Sequence, residues 1–416
     1  MADSTGTDRT LTRTLKHLFS SKLHRIAACA ALIVSSAAWA PTGLYAGVSD
    51  AGPDATITLI IRDIEQNKLD VALARTENLL GLYPNFRLAH LIRGDLLLAR
   101  TQPLATFGNA AGAPADKLRD LREEAIARLQ GYRNRPAQNQ VPRYLLQMRE
   151  DQNHAVVVDT KQSRLYLYRN EKGRPVFVAD WYISQGKAGA EKQREGDNKT
   201  PVGLYQVTSV MPPEKLTDFY GKRAFPLNYP NEWDKMQGRN GHGIWLHGVP
   251  RDTFARPPKA SEGCVVLANQ DLDALSTYLQ IGVTPVIISN GIEWLSLDDW
   301  QNERSALNQA IDDWRRDWES RDVSRYLSHY STRFKTNDQD FEAWARQKRE
   351  VTAGKTWVKV ELRNLSVLRN PGSQDEMVMV SFEQEYRSSN LNNVAKKRQY
   401  WRKENGRWKI IYEGVA

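Results

Sequence analysis

Gly243-Ile244-Trp245-Leu246-His247-Gly248 is followed, after a short loop, by Ser261-Glu262-Gly263-Cys264-Val265-Val266. A histidine and a cysteine thus stand 17 positions apart, each beside glycine. A free thiol titrates at roughly pH 8.5, so it attacks efficiently only beside a base or a positive group. The pattern reads Cys264 as nucleophile and His247 as its base. Gly263 lets the backbone turn tightly and leaves N–H groups for an oxyanion at Cys264. Gly248 permits a close backbone approach, so a nearby carbonyl can orient the imidazole as an aspartate does in other triads. Ser261 is expected to hydrogen-bond the histidine or the substrate.

Working outward, Ala155-Val156-Val157-Val158-Asp159, Leu165 to Tyr168 and Pro175 to Val178 read as strands divided by turns. Short β-rich segments continue to Pro285-Val286-Ile287-Ile288. One helix is expected from Asn269 to Leu279, with Asn269 as its cap. Upstream, Val71, Leu73, Leu79, Leu80 and Leu82, then Leu88, Leu91, Ile92, Leu96 and Leu97 recur at helical spacing, broken at Pro84-Asn85. Residues 67–100 have the layout of one tetratricopeptide-like hairpin without a second copy. A helical cap or dimerisation domain is the simpler reading, and Asn134 to Val141 reads as linker. Downstream come helices from Ser305 to Arg321 and Phe341 to Glu350. Long strands follow over Trp357–Leu368, Glu376–Tyr386 and Val394–Lys403, with a last one at Trp408–Tyr412 after the Asn405-Gly406 turn. Trp314, Trp318, Tyr326, Tyr330 and Phe334 fall at helical spacing and read first as core.

The N-terminus narrows the compartment. A basic lead ending at Arg25 precedes Ile26 to Ala40, an apolar run of 15 residues that is short for a bilayer span. It has the layout of a secretory signal peptide, with cleavage expected after Ala40 or Ala46. Ile26-Ala27-Ala28-Cys29 loosely resembles a lipid-attachment box, but there the apolar run should precede the cysteine. Export would remove Cys29 and leave Cys264 as the single thiol in an oxidising compartment, with no partner for an internal disulfide. A formal charge of +9 calls for an anionic partner without choosing among nucleic acid, lipid and cell-wall polymer. Hydrophobic content of 41% and charged content of 26% exclude a membrane bundle and a disordered chain.

The His247-Gly248 pair, a loop, then Ser261-x-Gly263-Cys264 resembles the motif of the L,D-transpeptidase (YkuD-type) family. Thr200-Pro201-Val202-Gly203 matches that family's early turn. Tyr220-Gly221, Ala224-Phe225-Pro226-Leu227 and Tyr229-Pro230-Asn231 match a subgroup with such a stretch ahead of the histidine. The resemblance covers about residues 150 to 290. It implies attack by Cys264 on the bond joining the L-centre of diaminopimelate to D-Ala in a peptidoglycan stem tetrapeptide. The thioester then passes to an amine, which is transpeptidation and the leading expectation. With water as acceptor the same chemistry is L,D-carboxypeptidation, and a non-catalytic wall scaffold is the third reading. Two departures bear on this choice: Glu262 stands where the family commonly has His or Arg, and Val266 where many members have Arg. A substrate carboxylate must then find Lys222 or Arg223, while Tyr220, His242 and Glu262 are further candidates to line the cleft.

The expected fold is α+β and multidomain: signal peptide 1–46, helical domain and linker 47–150, catalytic domain 151–290, and a C-terminal domain 300–416. The last, helices followed by a curved antiparallel sheet, is similar to the nuclear-transport-factor-like (SnoaL-type) cone. No cofactor is expected, and Cys264 with two histidines lacks the spacing of zinc motifs. The expected partner is the peptidoglycan stem in the periplasm, with self-pairing through the helical domain. No nucleic acid is expected, and membrane only if the signal segment stays uncleaved.

Overall fold

The structure, a computed structural model, describes residues 52–104, 106–110, 112–372 and 376–416. The signal-peptide reading of residues 1–46, with Cys29, lies outside them. Contacts divide the chain into two units: the residues up to Arg133 together with Asp252–Pro257, and the remainder.

The first unit is helical. Pro53 opens α1 (Pro53–Glu65), where its missing N–H leaves no helical bond unmade. Helices α2 (Leu69–Leu82), α3 (Arg87–Leu98) and α4 (Ala115–Arg133) follow. Ile57, Ile60 and Ile61, then Leu88, Ile92 and Leu96, then Ala125 and Leu129 are buried at the spacing that keeps one helix face inward. A charge is buried with them: Arg128 pairs with Glu124 at 2.8 Å and with Asp54, and lies 4.9 Å above the Phe86 ring. Asp252–Pro257 belongs to this unit through Phe254, whose ring is 4.3 Å from Phe86 and 4.9 Å from Tyr83. The loop between His247 and Ser261 therefore contributes a core residue to the helices.

In the second unit, β1 (Gln140–Pro142) and β2 (Leu145–Gln147) precede β3 (His154–Asp159), β4 (Arg164–Glu171), β5 (Arg174–Tyr182), β6 (Gln185–Gly186), β7 (Gly203–Gln206) and β8 (Ala224–Pro226). The short α5 (Glu232–Met236), held by an Asn231/Asp234 capping box, leads to β9 (Trp245–His247), β10 (Lys259–Ser261) and β11 (Val265–Val266). Then come α6 (Asn269–Ser276) and β12 (Pro285–Ser289). The main catalytic sheet has the order β5-β4-β3-β12-β7, with only β3 and β12 parallel. Beside it β11-β9-β8 form a small sheet, and Val156, Val158, Leu165, Leu246, Val265 and Ile288 share one buried core.

The C-terminal part starts at β13 (Trp294–Ser296) and α7 (Leu297–Ser320), eight residues before the helix start read from the sequence. Ser296 sets that start, its Oγ accepting from Asp299 N at 3.1 Å. After α8 (Val323–Leu327) comes β14 (Tyr330–Lys335), then α9 (Phe341–Ala353) and the long strands β15 (Val358–Arg369), β16 (Met377–Ser388), β17 (Asn392–Glu404) and β18 (Arg407–Val415). Tyr330 and Phe334 are buried as expected of core, but on a strand parallel to β18 and not on a helix. The final hairpin turns on Asn405 and Gly406, both at positive φ.

The sheet order β14-β18-β17-β16-β15-β2 shows a further difference. The segment read as linker, Asn134 to Val141, runs into β1, the partner of β13, and β2 just beyond it forms the edge of this sheet. Leu145 and Leu146 are both fully buried, and the Trp300 indole N–H donates to Leu145 O at 2.8 Å. Arg143, between the two strands, meets Glu303 at 2.7 Å, Glu293 at 2.8 Å and Glu376 at 3.1 Å. Arg143→Ala leaves this acidic cluster with Arg369 and Lys403 as its remaining cations. We expect a loss of about 2 kcal/mol, between an exposed and a buried ion pair, read as a lower urea midpoint with unchanged slope.

Candidate active site

Strand β9 ends at His247 and β11 begins one residue after Cys264. Their parallel pairing, Val265 with Leu246 and Val266 with His247, brings the two segments side by side. His247 is 1% exposed, with the Tyr220 ring edge-on at 5.1 Å and Phe219 at 6.2 Å. Its Nδ1 lies 2.7 Å from Gly248 O. A carbonyl only accepts, so Nδ1 carries the proton, and in the neutral ring Nε2 keeps its lone pair.

Gly248 donates its N–H to Tyr220 O at 3.0 Å, and a Cβ there would stand 2.1 Å from Asn269 Oδ1. Asn269 differs from its expected role. The cap position of α6 is Ala268, and the Asn269 amide instead grips Val249, Oδ1 accepting from its N–H at 3.2 Å and Nδ2 donating to its O at 2.8 Å.

Cys264 is half-buried and is the one cysteine among the described residues. Its Sγ donates to Gly243 O at 3.3 Å. Ser261, 2% exposed, spans the same turn: its Oγ donates to Cys264 O at 2.7 Å and accepts from Gly263 N at 3.1 Å. This corrects two expectations. Ser261 locks the turn and does not reach for the histidine, and the Gly263 amide is engaged by Ser261 and not left for an oxyanion. Gly263 itself has φ +132°, and a Cβ on it would lie 2.7 Å from Lys199 O.

Lys199 belongs to the loop carrying the early Thr-Pro-x-Gly turn. Asp197 shapes that loop by accepting from Gln193, Arg194 and Lys199 amides and from Lys192 Nζ at 2.8 Å. Burial pushes the Asp197 carboxyl up, but Lys192 and the three amides outweigh it and hold it well below the usual carboxylate range.

The proposed substrate contacts are placed unequally. Tyr220 lines the histidine. Glu262 is exposed and pairs with Lys187 at 3.5 Å. Arg223 is exposed and pairs with Asp273 at 3.0 Å, and Lys222 is exposed. His242 is 79% exposed at its side chain, 3.4 Å from Glu195. Val266 is buried at 2%.

Residues 153–288 match the L,D-transpeptidase catalytic domain, and residues 306–414 match the Cds6 C-terminal NTF2-like domain. The chain carries an L,D-transpeptidase catalytic domain. Among solved structures, Bdellovibrio bacteriovorus Bd1075 is similar at 27% identity and TM-score 0.60, over 67% of this chain and 98% of that one. The helical cell shape determining protein Pgp2 of Campylobacter jejuni is similar at 27% identity and TM-score 0.55, over 65% and 95%. The putative L,D-transpeptidase YafK of Escherichia coli K12 is 30% identical over 88 residues, 21% of this chain and 31% of that protein. The chain thus matches about a third of the length of that curated relative.

Outside the transpeptidase domain, a polar cluster in the NTF2-like domain was missed in the sequence. Lys348 Nζ lies 3.9 Å from the Trp344 ring centroid and 6.0 Å from that of Trp318, and burial pushes its pKa down. Glu413 is buried too, and accepts from Lys397 at 3.1 Å and from Gln399 at 2.9 Å. These residues come from two helices and two strands, so no linear motif announces them.

Proposed function

We propose that this chain is an exported cell-wall enzyme that cleaves the diaminopimelate–D-Ala bond at the end of stem tetrapeptides. The observation that carries the reading is the 2.7 Å contact between His247 Nδ1 and Gly248 O. The Nδ1–H is committed to Gly248 O, which leaves Nε2 as the base for a thiol brought alongside by the β9–β11 pairing.

In the reaction the Cys264 thiol gives its proton to Nε2 as sulfur adds to the carbonyl carbon. Collapse of the adduct breaks the C–N bond, and the imidazolium returns that proton to the departing D-Ala amine. Water then attacks the thioester, again losing a proton to Nε2, and the tripeptide leaves as its acid while the thiol re-forms.

Water is the acceptor we favour. The family's common His or Arg at position 262 and Arg at 266 are replaced by Glu262, paired with Lys187, and by buried Val266. Arg223 is held by Asp273, so of the named candidates Lys222 is left to hold an acceptor stem's carboxylate. The overlap with a cell-shape protein over nearly its whole length supports action on the wall. Transfer to an amine is the second reading, supported by the transpeptidase domain itself.

The test is incubation of the protein lacking residues 1–46 with purified disaccharide tetrapeptide, followed by mass spectrometry. Loss of one D-Ala without a larger product is expected. A covalent dimer would replace hydrolysis by transfer, and an unchanged tetrapeptide would overturn the proposal.

A further inference from the structure

We infer that Asn269 is a positioning residue for the histidine base, acting through a single peptide plane; this deepens the proposed function and rests on His247 serving Cys264. The Gly248 carbonyl, which takes the His247 Nδ1 proton, and the Val249 N–H, which Asn269 Oδ1 accepts, are the two ends of the same peptide unit. That unit is planar, so fixing one end fixes the direction of the other. Asn269 adds a second bond, Nδ2 to Val249 O at 2.8 Å, which closes a two-point clasp on the backbone. The clasp also fixes the amide: turned over, it would oppose two donors at one end and two acceptors at the other.

Two glycines make room for it. A Cβ at Gly248 would stand 2.1 Å from Asn269 Oδ1, and one at Gly221 2.3 Å. Gly221 has φ +70°, the region glycine enters without steric cost. Two chain segments have therefore given up side chains at the point where one amide enters. Helix α6 gains no cap from it, since its cap position has no side-chain bond. The geometry accounts for the Asn269 amide through the His247–Val249 backbone.

The chain of contacts runs from Asn269 to the Gly248–Val249 peptide, then to His247 Nδ1–H, leaving Nε2 for the thiol. A hydrogen bond at the N–H end of a peptide also strengthens the acceptor at its carbonyl end. Without the clasp the peptide can rotate, and the imidazole loses the bond that selects its tautomer.

Asn269→Ala and Asn269→Asp should be compared with wild type in the full exported chain. Asp keeps the acceptor for Val249 N–H but places a second acceptor against Val249 O. For Asn269→Ala we expect kcat for D-Ala release to fall about 10- to 100-fold, the size typical of losing a residue that orients a ligating or catalytic histidine. KM should change less than about twofold, and Asn269→Asp should recover part of the loss.

The deciding readout is the 15N spectrum of His247. Wild type should show the Nδ1–H form, and Asn269→Ala a mixture of tautomers. An unchanged Nδ1–H signal in Asn269→Ala, or equal kcat in all three proteins, overturns the inference. Should Asn269→Ala fail to fold, Asn269→Asp decides: a kcat below wild type is expected, and wild-type kcat together with an unchanged Nδ1–H signal overturns the inference. A wild type that shows the Nδ1–H form yet releases no D-Ala overturns the proposed function, while the spectra still judge Asn269.

Discussion

Cys264→Ser is expected to lower D-Ala release from the tetrapeptide at least a thousandfold while leaving the thermal midpoint within about 2 °C of wild type. The substitution is nearly isosteric, and the bond that Sγ donates to Gly243 O at 3.3 Å can be made by a hydroxyl. Stability therefore has little to lose. Reactivity has much to lose, because a hydroxyl is a far weaker acid than a thiol and gives up its proton to Nε2 only at much greater cost. A thousandfold corresponds to about 4 kcal/mol of transition-state stabilisation. The measurement is a timed mass analysis of the tetrapeptide with equal amounts of the two proteins. Retention of more than a tenth of the wild-type rate would mean that another group performs the attack.

That prediction rests on a pair of residues legible without any structure. A thiol, a histidine 17 positions earlier and glycine beside each require only side-chain chemistry and spacing to be read. The long strands of the NTF2-like domain were legible for a similar reason: strong alternation and an Asn-Gly turn specify local structure whatever surrounds them. What escaped depended on partners distant in sequence. Strand β2 has no local signature because its short, polar-flanked Leu145-Leu146 carries no periodicity, and it becomes a strand only when the β15 edge is offered to it. Tyr330 and Phe334 kept helical spacing with Tyr326, and tertiary pairing with β18 overrode it.

Ser261 and Asn269 stand out in the sequence, but not for the roles the structure gives them. Local rules assign hydroxyls to substrates and amides to helix caps, whereas here both hold backbone turns. Phe254 had no signal at all, since nothing local marks a loop aromatic as belonging to a helical core some 170 residues upstream.

Gly263→Ala should damage stability and activity together. The backbone there has φ +132°, a conformation that costs an L-residue roughly 1–3 kcal/mol before any contact is counted. The added Cβ would also meet Lys199 O at 2.7 Å and Ile244 Cδ1 at 3.0 Å. Ile244 can shift a little. Lys199 O cannot readily do so, because its loop is tied by four donors onto Asp197. Relief must come from the turn itself, which Ser261 holds at Gly263 N and Cys264 O. Moving that turn moves the nucleophile. We expect a loss of about 2–4 kcal/mol in urea unfolding and at least a hundredfold fall in D-Ala release among the molecules that remain folded. Gly196→Ala is the matched control: φ is +75° and nothing lies within 4 Å of the added Cβ. It should cost only about 1 kcal/mol, with activity near wild type. If the two variants behaved alike, the strain at Gly263 would be ordinary backbone cost, and the Lys199 wall would have no part in setting the position of Cys264.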